Sequence, residues 1–188
     1  MGNISLASGP TDSSNQPILT REERHQILVE WNDTATSYPH DRTIHQLFEV
    51  QAEATADATA VIFNDEQLSY RQLNRRANQL AHHLRSLGVG PDVVVGLCCE
   101  RSLSMVEGVL GILKAGGAYV PLDPQYPEKR LAFMVNDAQV AVLLTQEHLL
   151  IRLPPVECPV ICLDSHHFLP KHDNPTPQAE AHNLAYLI

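Results

Sequence analysis

The chain has 188 residues, of which 44% are hydrophobic, and this is enough for one domain with a buried core. Its formal net charge is −9, from 22 acidic and 13 basic residues, which argues against nucleic-acid binding through phosphate neutralisation. The first residues lack the basic and apolar regions of a signal peptide, and no apolar run reaches the roughly 18 residues of a membrane span. We therefore expect a cytoplasmic protein with neither nucleic acid nor membrane among its partners.

The first 42 residues predict a tail followed by a linker. Residues 1–17 are rich in Ser, Asn and Gly, and we expect them to be disordered. The linker, residues 18–42, contains the capping box Thr20-Arg21-Glu22-Glu23, which predicts the start of a helix. A second capping box at residues 43–46 predicts another helix. From there to residue 188 we expect one continuous domain.

A hairpin and a long helix come next in the chain. Residues 60–63 and 67–70 are strand-like and flank a short polar turn, which predicts a β-hairpin. Ser69 can then cap a helix whose apolar residues recur at steps of three and four. Gly88 and Gly90-Pro91 end that helix.

Beyond residue 92 the sequence alternates between apolar strands and helices. Continuous apolar strands separated by helices are typical of a parallel sheet covered on both faces. We therefore predict an α/β fold with a mostly parallel sheet, helices on both faces and the additional hairpin. The predicted strands are 93–98, 118–120, 140–145, 160–163 and a buried strand at 184–188; the predicted helices are 103–115, with Ser102 as cap, and one that begins at Pro127.

Residues 113–123, LKAGGAYVPLD, combine a helix end, a glycine turn and a strand. Lys114 is suited to the last helical turn, because its charge can meet the unpaired carbonyls there. Gly116 and Gly117 can adopt the positive φ that ends a helix. Pro121 cannot donate to a ladder and ends the strand.

This run resembles a core motif of the amino-acid adenylation domains of nonribosomal peptide synthetases. Residues 68–81 resemble the first core motif of that family, residues 113–123 the second, and residues 184–188 the strand that leads into the third. Residues 18–34 resemble the linker that precedes such domains. The resemblance covers nearly everything after residue 17.

The resemblance implies an AMP-forming ligase of secondary-metabolite biosynthesis. The complete domain would use ATP and Mg²⁺ to form an aminoacyl adenylate, and would pass the amino acid to the phosphopantetheine thiol of a peptidyl carrier domain. Its implied partners are the amino-acid substrate, that carrier domain and the remainder of the adenylation domain. In the family the third motif is a glycine-rich loop that wraps the ATP phosphates.

The sequence stops before that loop. No catalytic, cofactor-binding or metal-binding residue can therefore be carried over to this chain, and we expect residues 1–188 to be inactive alone. Residues 43–188 would be the N-terminal part of a domain that continues past Ile188. That domain would either begin a synthetase as a loading module or be excised from one. Two alternatives stay open: an acyl- or aryl-coenzyme A ligase of the same superfamily, and a non-catalytic scaffold fragment.

Several other residue groups suggest sites but have simpler interpretations. The four cysteines, Cys98, Cys99, Cys158 and Cys162, are interpreted as reduced, buried thiols rather than zinc ligands. The ten histidines are interpreted as surface residues, including His82, His83, His166, His167 and His172. Glycines 108, 111, 116 and 117 do not fit a dinucleotide loop and favour close helix packing. Residues 100–102 follow a strand at its carboxyl end, where ligands bind in open α/β sheets, but a helix cap with an ion pair is the simpler interpretation.

Overall fold

The computed structural model describes residues 19–165 and 168–188, so the predicted tail at 1–17 and the pair His166-His167 lie outside the described residues. The chain divides into two units, Met1–Pro39 and His40–Ile188. In the first unit, α1 (Arg21–His25) continues into a π-helical turn, Gln26–Glu30. The predicted capping box is present, since the Thr20 hydroxyl accepts from the Glu23 N–H at 3.1 Å and the Glu23 carboxylate accepts from the Thr20 N–H at 2.8 Å.

In its described residues the second unit contains four α-helices and six strands. The helices are α2 (Ile44–Ala54), α3 (Tyr70–Ser86), α4 (Leu103–Ala115) and α5 (Glu128–Asp137). The strands are β1 (Thr59–Phe63), β2 (Glu66–Ser69), β3 (Val94–Cys98), β4 (Ala118–Pro121), β5 (Val142–Thr145) and β6 (Val160–Cys162), and a short 3₁₀ helix spans Glu147–Arg152.

The last four strands form a parallel sheet in the order β4-β3-β5-β6, and β1 and β2 form a separate antiparallel hairpin. The connections from β3 to β4 and from β4 to β5 run in opposite directions across the sheet. The order therefore has a switch point beside β3, and connections of this kind favour a crevice at the carboxyl edge.

The apolar side chains of each strand divide between two faces. Val95 and Leu97 of β3 pack against α3 and α4, whereas Cys98 packs with α5 residues on the opposite face. Helices therefore cover both faces, and the predicted fold class is confirmed. The α3–α4 contact is close, because a Cβ placed on Gly111 would lie 2.5 Å from Cδ2 of Leu80. The glycine at this position serves helix packing, as predicted.

The junction between α4 and β4 depends on two glycines with different roles. Gly116 has a φ of +96° and ends α4 in the left-handed region, as predicted. Gly117 does not have a positive φ, so that half of the prediction is wrong. A glycine is needed at this position because the neighbouring chain is close: a Cβ on Gly117 would lie 2.7 Å from Cγ1 of Val89 and 3.0 Å from the Val93 carbonyl oxygen.

The predicted buried strand at residues 184–188 is wrong as stated. The segment forms only an isolated parallel bridge, between Tyr119 of β4 and Tyr186. Leu184 is 39% exposed, Tyr186 52% and Ile188 fully exposed. The segment lies at the edge of the sheet, with β4 on one side, so alternate side chains face away from the core.

Other element boundaries differ by one or two residues from the sequence prediction. Tyr70 begins α3 instead of ending the hairpin. Pro127 is the N-cap of α5, one position before the first helical residue. β5 begins at Val142, because Gln139 adopts a φ of +49° and the chain is still turning there. By contrast, α4 spans 103–115 as predicted, and the Ser102 hydroxyl accepts from the Met105 N–H at 3.2 Å.

Candidate functional site

A crevice of about 720 Å³ lies at the carboxyl edge of the sheet. It is bounded by the ends of β3 and β4 and by the start of α5, and Ile188 also lines it. Within it, the Arg130 guanidinium lies 3.8 Å from the centre of the Tyr126 ring, a cation–π contact that orients both side chains. The crevice lies outside the carboxyl ends of parallel strands, the edge at which open α/β sheets bind ligands, although it is beside β3 and β4 and not at the switch point between β3 and β5.

The segment 100–102 borders this crevice and acts mainly as a helix cap, which is the simpler of its two interpretations. Ser102 caps α4, and the Glu100 carboxylate lies 3.4 Å from Nε2 of His148. The buried Gln146 side chain accepts from the Glu100 N–H at 2.8 Å. This amide holds together the ends of β3 and β5, the two strands at the switch point.

The second polar feature is a buried ion pair between α4 and α2. Lys114 lies in the last turn of α4, as predicted, but its ammonium does not meet the helix-end carbonyls. It contacts the Glu49 carboxylate of α2, and its side chain is completely buried. The Arg85 guanidinium of α3 takes the terminal carbonyls instead, donating to the oxygens of Lys114 at 2.9 Å and Ala115 at 3.1 Å. Burial lowers the pKa of Lys114, and Glu49 opposes that shift.

His45 lies beside this pair and is 5% exposed, so its interpretation as a surface residue is wrong. Its Nε2 is 3.0 Å from Oγ1 of Thr43. Burial lowers the pKa of His45 to about 4, with the nearby Lys114 and Arg85 charges contributing to the shift. The imidazole is therefore neutral at neutral pH, and the cluster holds one carboxylate and two cations.

Sequence patterns did not identify the polar contacts of residues 168–188, a segment we call the strap. Oδ1 of Asn174 accepts from Nδ2 of Asn74 and Nδ2 of Asn78, both at 3.0 Å, and from Nζ of Lys114 at 3.3 Å. Nδ2 of Asn78 also donates to the His172 carbonyl oxygen at 2.6 Å. A polar Asn78 on the apolar face of α3 was the one local signal that a partner was needed.

The cysteines and histidines within the described residues do not form a shared cluster. All four cysteines are free thiols, but only Cys98 is buried as predicted, and the other three are partly exposed. Cys98 and Cys99 point to opposite faces of the sheet, as predicted for adjacent strand positions. Burial raises the pKa of Cys98 to about 11 and that of Cys99 to about 12, which makes both poor nucleophiles. Among residues 19–165 and 168–188, no three His, Cys, Asp or Glu side chains are placed to hold a metal ion. Nor does any helix of the described residues have the length and apolar character to cross a membrane.

Comparisons with known proteins agree with this architecture. A family model described as AMP-binding enzyme matches residues 48–188. The chain is 50% identical over 174 residues to gramicidin S synthase 2 of Brevibacillus brevis, a match covering 91% of this chain and 4% of that protein. It is 50% identical over 179 residues to chondramide synthase cmdD of Chondromyces crocatus, covering 91% and 4%.

Solved structures show the same likeness. The nonribosomal peptide synthetase FmoA3 in an AMPPNP-bound form superposes with a TM-score of 0.81 at 34% identity, covering 90% of this chain and 18% of that one. The N-terminal subdomain of Klebsiella oxytoca NpsA superposes with a TM-score of 0.70 at 19% identity, covering 79% and 38%, a likeness of fold alone. The chain therefore spans a small part of the proteins that it matches.

Proposed function

The chain belongs to the AMP-binding enzyme family, and from that membership we propose that it is the N-terminal part of an amino-acid-activating adenylation domain of a nonribosomal peptide synthetase. The observation that carries the proposal is the match of 91% of the chain, at about half identity, to synthetases many times its length. The run at residues 113–123, which resembles a core motif of these domains, supports it and forms the α4–β4 junction.

The reaction proposed for the complete domain has two steps. An oxygen of the amino-acid carboxylate attacks the α-phosphorus of ATP; a new P–O bond forms, the bond to the bridging oxygen breaks and pyrophosphate leaves. The thiol of a carrier-bound phosphopantetheine then attacks the aminoacyl carbonyl carbon, which gives a thioester and AMP. We place this reaction in the cytoplasm, where the substrates are available.

This chain would contribute scaffold rather than reacting groups. Its sheet presents the crevice at the carboxyl edge, and its strap carries residues 184–188 along β4 towards that crevice. Magnesium would supply charge neutralisation of the phosphates in the complete domain. The described residues offer no donor set for it, so we derive no step of this chain through the metal.

Pyrophosphate exchange tests the proposal. The longer polypeptide that carries this chain should exchange labelled pyrophosphate into ATP when one amino acid of a panel of the common amino acids is supplied, and residues 1–188 alone should not. Exchange with none of the amino acids but activity with fatty or aryl acids and free coenzyme A would instead support the acyl- or aryl-coenzyme A ligase. No exchange with any acid would leave the scaffold fragment as the remaining function.

A further inference from the structure

Asp92 has a backbone conformation that glycine adopts most readily. It is the third residue of the turn Gly90-Pro91-Asp92-Val93, which is closed by a hydrogen bond from the Val93 N–H to the Gly90 carbonyl oxygen at 3.1 Å. Its φ is +62°, in the left-handed region. Proline at the second position and a positive φ at the third are typical of a type II turn, where glycine is preferred at the third position. Aspartate is one of the few non-glycine residues that tolerate this region, and its presence instead of glycine calls for a reason.

The carboxylate of Asp92 supplies that reason. Oδ1 accepts from the Leu184 N–H at 2.9 Å, and Oδ2 accepts from Nδ2 of Asn183 at 3.1 Å. We call these two hydrogen bonds the clamp. Asn183 and Leu184 are 91 and 92 positions away in the sequence and begin the segment that runs along β4. Glycine would suit the turn better but could make neither contact.

The clamp lies at a point where it can set the strand register. One residue beyond it, the Ala185 carbonyl oxygen accepts from the Tyr119 N–H at 3.1 Å, and the Leu187 N–H donates to the Tyr119 carbonyl oxygen at 2.9 Å. These two backbone bonds hold the segment on β4, with the single bridge between Tyr119 and Tyr186. A bridge this short specifies register weakly, and a slip of one residue would move the chain by about 3.3 Å and reverse its faces.

The other end of the segment reaches the candidate site. Leu184 is held next to the turn that precedes β3, at the amino edge of the sheet, whereas Ile188 lines the crevice at the carboxyl edge. The clamp therefore fixes the position along β4 at which any chain that follows Ile188 enters the crevice. Because Leu184 is held in place, the residues that follow it can reach only a limited part of the crevice.

We propose that Asp92 is a positioning residue for the adenylation reaction: its carboxylate sets the register of residues 184–188 on β4 and so fixes where Ile188, and any chain joined to it, meets the crevice. This inference rests on the proposed function. Asp92 touches no substrate and acts through Asn183 and Leu184. From this turn position the carboxylate reaches both partners.

The test uses Asp92→Gly in the longer polypeptide that carries this chain. Glycine keeps the positive φ and removes only the carboxylate, so the fold is retained while the clamp is lost. We expect amide hydrogen exchange at Leu184 and Leu187 to accelerate at least about tenfold, and the KM for ATP in pyrophosphate exchange to rise about tenfold. The fraction of active molecules, titrated by adenylate formation, should not change.

Two variants serve as controls. Asp92→Asn tolerates the left-handed region and keeps one oxygen to accept from the Leu184 N–H, but its amide nitrogen cannot accept from Nδ2 of Asn183, so both readouts should fall between those of wild type and Asp92→Gly. Gln139→Gly changes another positive-φ residue, at the turn before β5, and should change neither. Together the two controls separate the loss of the accepting oxygens from the relief of backbone strain.

The outcomes distinguish this inference from the proposed function. If Asp92→Gly leaves amide exchange and the KM for ATP at wild-type values, the inference is overturned. A faster amide exchange with an unchanged KM also overturns it, since the clamp would then be structural only. If the wild-type polypeptide exchanges no pyrophosphate with any amino acid, the proposed function fails, while amide exchange still reports whether Asp92 sets the register.

Discussion

The parallel sheet with the helices that cover it, which we call the sheet region, and the strap are held in place by different forces. In the sheet, β3 and β5 are almost completely buried between helices, and their residues contribute to two apolar clusters. The strap, residues 168–188, has no helix and a single bridge. It is positioned by side chains outside it, chiefly Asp92, Asn78 and Lys114, which donate to or accept from its polar groups.

The difference has a consequence for stability and for function. Apolar burial is non-directional and tolerates small adjustments, whereas each polar anchor fixes one atom at one place. A segment held by a few directional contacts can be ordered precisely yet released at low cost. The strap has these properties, and in the proposed function it is the part that leads to the reacting groups.

The largest expected effect comes from the ion pair that joins α2 to α4. Glu49→Ala should lower the free energy of unfolding by about 3 kcal/mol, because it leaves the ammonium of Lys114 buried without its carboxylate. Urea denaturation of the variant and of wild type would measure the difference.

A double variant provides the control for that experiment. Lys114→Met combined with Glu49→Gln removes both charges at similar volume, and we expect it to recover most of the lost stability. If the double variant is as unstable as Glu49→Ala, the cost does not arise from an uncompensated charge.

The second prediction compares two adjacent glycines, one facing the sheet and one facing the strap. Gly117→Ala should cost about 2 kcal/mol, because its Cβ would lie 2.7 Å from Val89 and 3.0 Å from the Val93 carbonyl oxygen. Gly116→Ala should cost about 1 kcal/mol, since its Cβ meets nothing closer than Gln178 at 3.6 Å and only the backbone, at φ +96°, is strained. Thermal unfolding of both variants would show which one is destabilised more. Equal losses of stability would contradict the different roles assigned to the two glycines.

The sequence predicted the sheet region much better than the strap, for a physical reason. Local periodicity determines elements such as α4, whose bounds and Ser102 cap are confirmed. The resemblance to synthetase adenylation domains, drawn chiefly from residues 68–81 and 113–123, is also confirmed by the family match and the relatives. These stretches form local structure, so their patterns are visible in sequence.

What the sequence did not predict depends on residues far apart in the chain. Asn78 and Asn174 are 96 positions apart, and Asp92 and Leu184 are 92 apart. No local pattern links such pairs. Lys114 was assigned to the carbonyls at its own helix end because those are its nearest neighbours in sequence, but its actual partner, Glu49, is on another helix. The hydrogen bonds that position the strap beside the candidate site also join residues far apart in the sequence.

The third prediction concerns the strap anchor. Asn174→Ala removes the oxygen that accepts from Asn74, Asn78 and Lys114, so we expect a loss of about 1 kcal/mol. Limited proteolysis should show faster cleavage within residues 168–188 and unchanged cleavage in α3 and α4. Asn174→Asp keeps the acceptor and adds a charge opposite Lys114, so it should protect the strap as well as wild type does; if it does not, the oxygen is not the anchor.

The smallest effect at neutral pH, and the one that grows with acid, involves His45. Its pKa is about 4 in the folded chain and near 6.5 when unfolded, so the unfolded state binds the proton first as pH falls. Its contribution to stability is therefore fully present above about pH 6.5 and is lost progressively down to about pH 4. The groups facing His45 are the Lys114 and Arg85 cations, which oppose its protonation, and Glu49, already engaged by Lys114.

Thermal unfolding from about pH 7.5 to pH 4 should show a melting temperature that falls more steeply for wild type than for His45→Gln, which cannot titrate. Parallel curves for the two proteins would show that the acid sensitivity arises elsewhere and that the α2 contact is not weakened by a charge on this imidazole.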